Sequence, residues 1–532
     1  MKLRLVLLFS VFLVAMPLLR ADEGHHHDPT AEELGTVNFQ ISCSPQAQAT
    51  FTRGVALLHS FWYEEAEKAF TQVGTEDPKC AMAGWGRAMS LYHQLWGFPD
   101  DAKLKAGRAL LAKAQKQKPA TEREASYVKA LAVLFQRGKM DSDDRSKAYS
   151  EAMGKVYQRY PEDREAAIFY ALSLLGSEPE HDTTFVNRKK AAAILEKLFI
   201  EEPNHPGVAH YLIHSYDKPQ LAELGLPAAR RYAQIAPASP HALHMPSHIF
   251  ARTGMWQDDI ASNLASIEAT RKTAAMHMGG AGHQFHAMDY LVYAYLQSGH
   301  EADAQKVVDD VRKMTPDSHD GTWDGYYALT KYPALIALEM RHWGDAAKLE
   351  VIKGSAPIDL AITYYARTIG AARSGDAKAA RKEIANLEST EKSLVGKKGK
   401  YGADEVEQLH NIASAWLAHA EGRNEEALKA LGQLADKEDA EGPEQTATPV
   451  REMLADMLME LNRPQEALAQ FETTLKANPG RFNGLYGAAQ AAERAGKSEQ
   501  ANTYYARLVK SCEGSGSVRP ELDRARTLLA KN

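Results

Sequence analysis

Cysteine, long apolar runs and dense positive charge are all scarce in this sequence, and each scarcity closes off a class of function. Three cysteines in 532 residues exclude both a disulfide-stapled scaffold and a cysteine-rich metal fold. Beyond the first twenty residues no apolar stretch approaches the ~20 residues a membrane-spanning helix needs, so no stable membrane anchor is expected. The formal net charge is −6, and the densest basic stretch, Lys392 to Lys400, is interrupted by glycine. Nucleic acid is therefore not an expected partner. The familiar catalytic signatures are missing as well: there is no Gly-x-Ser-x-Gly elbow and no His-Glu-x-x-His pair. The Gly-rich run His277 to His283 lacks a preceding strand and the glycine spacing of a phosphate loop, and reads as a hairpin loop. The chain reads as a binder before an enzyme.

What is present is a folded composition, 44% hydrophobic and 25% charged, with enough apolar residues for a large core. At the N-terminus, Lys2 and Arg4 precede an apolar run from Leu5 to Leu19, and Ala21 leads into Asp22-Glu23. That order predicts a signal peptide over residues 1–21 and a periplasmic or secreted protein. Residues 22–44 read as a flexible His/acidic segment, in which His25, His26 and His27 form either a weak metal-collecting tract or a polar linker.

A repeat follows. Gly54, Ala66, Phe70 and Pro78 are spaced 12, 4 and 8 residues apart; Ala455, Ala467, Phe471 and Pro479 repeat the intervals, as do Ala489, Ala501 and Tyr505 without the proline. Small residues at the first two points let antiparallel helices approach, the aromatic fills the gap to the next hairpin, and proline ends the second helix. Partial matches occur at Ala191, Leu195 and Pro203, at Ala228, Tyr232 and Pro240, at Ala304, Val308 and Pro316, and at Ala415, Ala427 and Leu431.

This pattern resembles the tetratricopeptide family, whose unit of about 34 residues carries these residue types at these intervals. The stretches FTRGVALLHSFWYEEAEKAF, CAMAGWGRAMSLYHQLW, HYLIHSYDKPQLAELGLPAARRYAQIAP and PHALHMPSHIFARTGMW are similar to a group of exported bacterial tetratricopeptide proteins. The resemblance implies an all-α fold, a right-handed superhelical solenoid of antiparallel hairpins, and no transferable activity. The expected division is a His-rich solenoid over 45–315 and a second over 316–532, with irregular loops at 97–122, 176–186, 315–328, 389–404 and 436–449. In the repeat frame Cys43 and Cys80 fall near the starts of two neighbouring first helices, so a disulfide between them is the expected pairing.

Two sets of residues are candidates for binding. His59 and His93 lie one repeat apart, as do Trp62 and Trp96, which suggests a ladder on the concave surface gripping a peptide or protein partner; the alternative is ordinary core packing. The second set is a histidine cluster: His210 and His214, then His241, His244 and His248, then His283, His286 and Asp289. Each subset lies on one helical face, and His210, His244 and His286 fall at similar points of successive repeats, predicting a row. Imidazoles converging from adjacent helices suit zinc or copper, and with an open position Asp217 or Asp289 could serve as a hydrolytic base. The competing reading is a polar seam in which these histidines bond to Tyr211, Tyr216, Asp217 and Tyr290.

Overall fold

The computed structural model describes residues 29–179, 181–279, 282–314, 325–394 and 402–531; the expected leader and the His25–His27 tract lie outside them. Among the described residues all regular elements are helical, and consecutive helices pack against one another as helical hairpins. No helix among them is long and apolar enough to cross a membrane.

The first hairpin shows how the sequence builds the unit. Ser44 caps Pro45–His59, its hydroxyl accepting from the Ala47 amide, with Pro45 already set for the first helical position. The chain reverses at Ser60-Phe61-Trp62, where Phe61 takes a left-handed φ of 53°, and returns as Tyr63–Glu76. Phe70 then wedges between its own hairpin and Ala81–Ser90. A Cβ on Gly86 would lie 2.3 Å from the Phe70 ring, and one on Gly487 would lie 2.2 Å from Phe471 in the last repeats. The small-and-aromatic intervals are thus steric requirements of hairpin stacking. Cys43 and Cys80, each just ahead of a first helix, are joined by a disulfide with Cα atoms 5.4 Å apart.

Three features depart from the sequence-based expectation. The segment 29–44 is packed, not flexible: Leu34, Val37 and Phe39 are buried, and Phe39 sits in an aromatic cluster with Phe51, Trp85 and Tyr127. The expected loop 97–122 contains the helix Asp101–Gln117, capped by Asp100, whose predominantly polar composition concealed its period. The 315/316 division does not coincide with a break in the core, because one apolar cluster runs from Ala251 to Leu335.

The array also folds back on itself. Arg481, wholly buried, bridges Glu339 at 2.8 Å and Glu452 at 2.7 Å, and its guanidinium donates to the Tyr293 hydroxyl at 2.8 Å. The Phe482 amide donates to Gln297 at 2.9 Å, and the Trp256 indole donates to the Gly480 carbonyl at 3.0 Å. The last repeats are thereby seated on the helix His283–Gln297, and the segment 441–448 crosses over the middle histidines.

Candidate metal centre

Four short elements carry the histidines. Pro206–Tyr216 supplies His210 and His214; Pro240–His244 supplies His241 and His244; Pro246–Thr253 supplies His248; His283–Gln297 supplies His286. A residue three further along a helix is turned by about 60° and raised by about 4.5 Å, so His241 and His244 point into different neighbours. The expected single row accordingly divides into two trios, His210–His214–His241 and His244–His248–His286, each with ligand atoms within 4.8 Å of one another.

In the first trio, His210 Nδ1 lies 2.6 Å from the His59 carbonyl. A carbonyl only accepts, so the proton is on Nδ1 and the Nε2 of neutral His210 is a bare lone pair. His241 Nε2 approaches it at 3.0 Å and His214 Nε2 at 3.1 Å. One in-plane lone pair cannot accept two N–H donors well, and His241 Nδ1 is buried with no hydrogen-bond partner. Phe61 packs against all three rings, at 4.4 Å from His210 and 5.5 Å from His241; its left-handed φ recurs at Asn462 in the last repeats and belongs to the hairpin turn.

The second trio is more sharply defined. His244 Nδ1 is 2.7 Å from Asn263 Oδ1, and that oxygen is fixed as the acceptor because Asn263 Nδ2 donates to the Asp259 carbonyl and carboxyl. His248 Nδ1 is 2.8 Å from Asp217 Oδ2. Both Nδ1 atoms therefore donate outward, and with both rings neutral two bare Nε2 atoms face each other at 3.1 Å. Two lone pairs do not attract; a cation between them does. The third ring, His286, is exposed and lies 4.5 Å from His244 by ring centroids.

The electrostatics favour neutral, metal-ready imidazoles. Burial lowers His210 to about 3, and takes His214, His241 and His244 well below the usual imidazole value, with neighbouring imidazoles adding to the effect in His214, His241 and His244. Burial acts to raise the Asp217 carboxyl, but His248, Arg252 and Arg188 together hold it below the usual carboxylate range. Asp217 is further bound by Arg252 at 3.2 Å and by the Gln445 carboxamide, which also donates to the His248 carbonyl at 2.9 Å. Outward Nδ1–H bonds to a carboxylate and a carboxamide are the outer-shell arrangement that orients metal-bound imidazole and raises its basicity.

A third cluster, His59–Glu165–His205, differs in chemistry. Each carboxylate oxygen of Glu165 accepts from one imidazole Nε2–H at 3.0 Å, and the Tyr211 hydroxyl donates to His59 Nδ1 at 2.9 Å. Both carboxylate oxygens of Glu165 are satisfied by N–H donors without an ion, and His205 Nδ1 is the one ring nitrogen of the cluster with no partner. Gly207 is required here, since a Cβ would come within 2.6 Å of His59 Nδ1.

No family model matches the chain, and no curated protein sequence matches it. Similar solved structures include the human IFIT1 dimer with m7Gppp-AAAA, at 12% identity and a TM-score of 0.40, covering 86% of this chain and 95% of that one. A monomeric IFIT1 mutant with Gppp-AAAA follows at 12% identity and 0.39, covering 88% and 98%. The TPR domain of P58(IPK) is at 12% and 0.20, covering 91% and 99%. These are distant likenesses of helical-repeat build.

Several residues belong elsewhere than the sequence suggested. His59 and Trp62 are core residues, not groove residues: His59 serves Glu165, and the Trp62 indole donates to the Gly279 carbonyl at 2.8 Å. His93 stacks on Tyr63 at 4.2 Å, leaving Trp96, 37% exposed, as the exposed member of the expected ladder. Trp96 stands edge-on to His241 at 4.9 Å and contacts His283 at 4.9 Å. His283 and Asp289 lie outside both trios; Asp289 pairs with Lys331 at 2.7 Å and accepts from Thr446 at 2.8 Å. Neither Asp217 nor Asp289 is a free carboxylate, so neither is placed as a hydrolytic base. Sequence reading missed Asn263, Arg252 and Gln445, whose only local signal is a polar residue among buried ones. It also missed Glu165, a buried charge opening the otherwise apolar Arg164–Leu175.

Proposed function

We propose that this protein is an exported helical-repeat scaffold that binds metal ions through two histidine trios. The observation that carries the reading is the 3.1 Å approach of His244 Nε2 to His248 Nε2, with both Nδ1 atoms committed as donors to Asn263 and Asp217. A shared proton is the alternative occupant of this contact, and elemental analysis tells the two apart. A metal ion turns the same repulsion into coordination. Three nitrogens per trio leave an open position on each ion, and the exposed His286 and partly exposed His214 give solvent access to both. The export assignment rests on the order of charged, apolar and small residues over 1–21.

The test is elemental analysis of the full chain, exported and purified without added metal, with His25, His26 and His27 replaced by alanine so that the tract cannot contribute. About one ion per trio is expected, falling by about half in His286→Gln, whose exposed side chain makes a folding defect small. A folded, metal-free protein that takes up neither zinc nor copper on titration would end the metal reading.

A further inference from the structure

We infer that the paired trios bind copper as Cu(I), one ion in each, in preference to zinc; this rests on the metal reading above and specifies its ligand. The argument is one of charge. The six donors are neutral imidazole nitrogens, and neither trio includes a carboxylate or a thiolate. The trios are also close together: His241 and His244, one helical turn apart, have ring centroids 6.1 Å apart, and His214 and His248 are 6.2 Å apart. Two divalent ions would place four positive charges in trios whose rings come this close.

Among the described residues, the carboxylates around the trios are mostly paired, and Glu444, which acts on Tyr290, is exposed to solvent. Asp217, the carboxylate behind His248, is held by Arg252 at 3.2 Å, and the Arg188 guanidinium, paired with Glu178 at 2.8 Å, donates to the His214 carbonyl at 2.5 Å. Asp289 is neutralised by Lys331 at 2.7 Å. Asp259 is buried and reaches His244 only through Asn263, and its second oxygen has no hydrogen-bond partner. The cost of transferring an ion out of water grows steeply with its charge; three neutral imidazoles can hold one zinc ion, but two such sites side by side favour the ion of lower charge. Cu(I) brings half the charge, is well served by imidazole, and accepts three donors without a fourth. Zinc ordinarily completes four-coordination with water or another ligand, and here would need anionic ligands from solvent to balance its charge.

The experiment uses the full chain carrying His25→Ala, His26→Ala and His27→Ala, under anaerobic reducing conditions. Cu(I) is titrated against bathocuproine disulfonate, and zinc, separately, against a chromophoric chelator. The expected result is about two Cu(I) per chain, one for each trio, held at least ~100-fold more tightly than zinc. His286→Gln should lose one Cu(I) and His214→Gln the other, with helical circular dichroism unchanged in both. Zinc bound at the same histidines as tightly as Cu(I) overturns the copper inference and leaves the metal reading standing. A folded chain that binds neither ion overturns both, as does Cu(I) binding that survives His214→Gln and His286→Gln combined in one chain.

Discussion

Around Glu165, two imidazoles each turn an N–H toward one carboxylate oxygen, and every proton has an acceptor. Around His244 and His248 the same side chain is arranged the other way, with N–H groups turned outward to Asn263 and Asp217 and bare nitrogens turned inward. Both clusters are buried and both lie between neighbouring hairpins. The difference shows that histidine count and burial do not identify a metal site. Tautomer does, and tautomer is read from what the other ring nitrogen bonds to.

Acid should separate the two clusters most strongly. Imidazoles lowered by burial, among them four in the trios, with His210 at about 3, and one, His59, beside Glu165, are neutral when folded but take up a proton when unfolded below about 6.5. The unfolded state therefore binds more protons across that window, and stability falls as pH falls from about 6.5 toward 4. Burial raises the Glu165 carboxyl, but His205 and His59 more than offset it and hold it below its usual value, so its contribution is lost only below about 4.5. Denaturant titrations at stepped pH should show the metal-free chain losing most of its stability in the upper window. Bound metal should protect that window and leave the lower one unchanged; equal protection of both would merge the two clusters into one class.

Next in size is Glu165→Leu. It leaves two buried imidazole donors without acceptors, at about 1–3 kcal/mol each, and the loss should be the same with and without metal. A loss that depends on metal would make Glu165 part of the ion site. Asp217→Asn should do the reverse, weakening one of the two ions by about 10–100-fold while the other keeps its affinity in a competition titration. Smallest is Trp96→Ala: its ring is partly exposed and edges His241 and His283, so stability should change by no more than ~1 kcal/mol. Metal exchange through the first trio should become faster, as followed by chelator-trapping kinetics, while the second trio keeps its rate.

Much of the repeat was legible because its spacing reports a steric demand. The intervals joining Gly54, Ala66 and Phe70 are those at which helices must touch, and Phe70 does pack against Gly54 and Gly86. The histidine-rich elements were legible for a similar reason, since spacing on a helix fixes which side chains share a face. What could not be read was which face meets which. His59 and His93 occupy the same repeat position, yet one lies in a buried seam and the other stacks on Tyr63, because only His59 has Glu165 and Tyr211 beside it.

The sequence by itself therefore determined the local periodic facts: helices, hairpins, the approach of Cys43 to Cys80, and a concentration of imidazoles in the middle third. These depend on contacts within a few tens of residues, where chain geometry leaves little choice. Tertiary structure decided which nitrogen of each histidine carries the proton, and hence which cluster can hold an ion. That choice rests on partners such as Asn263, Asp217, the His59 carbonyl and Gln445, brought from 19 to 197 residues away by the stacking of hairpins and the return of the C-terminal repeats.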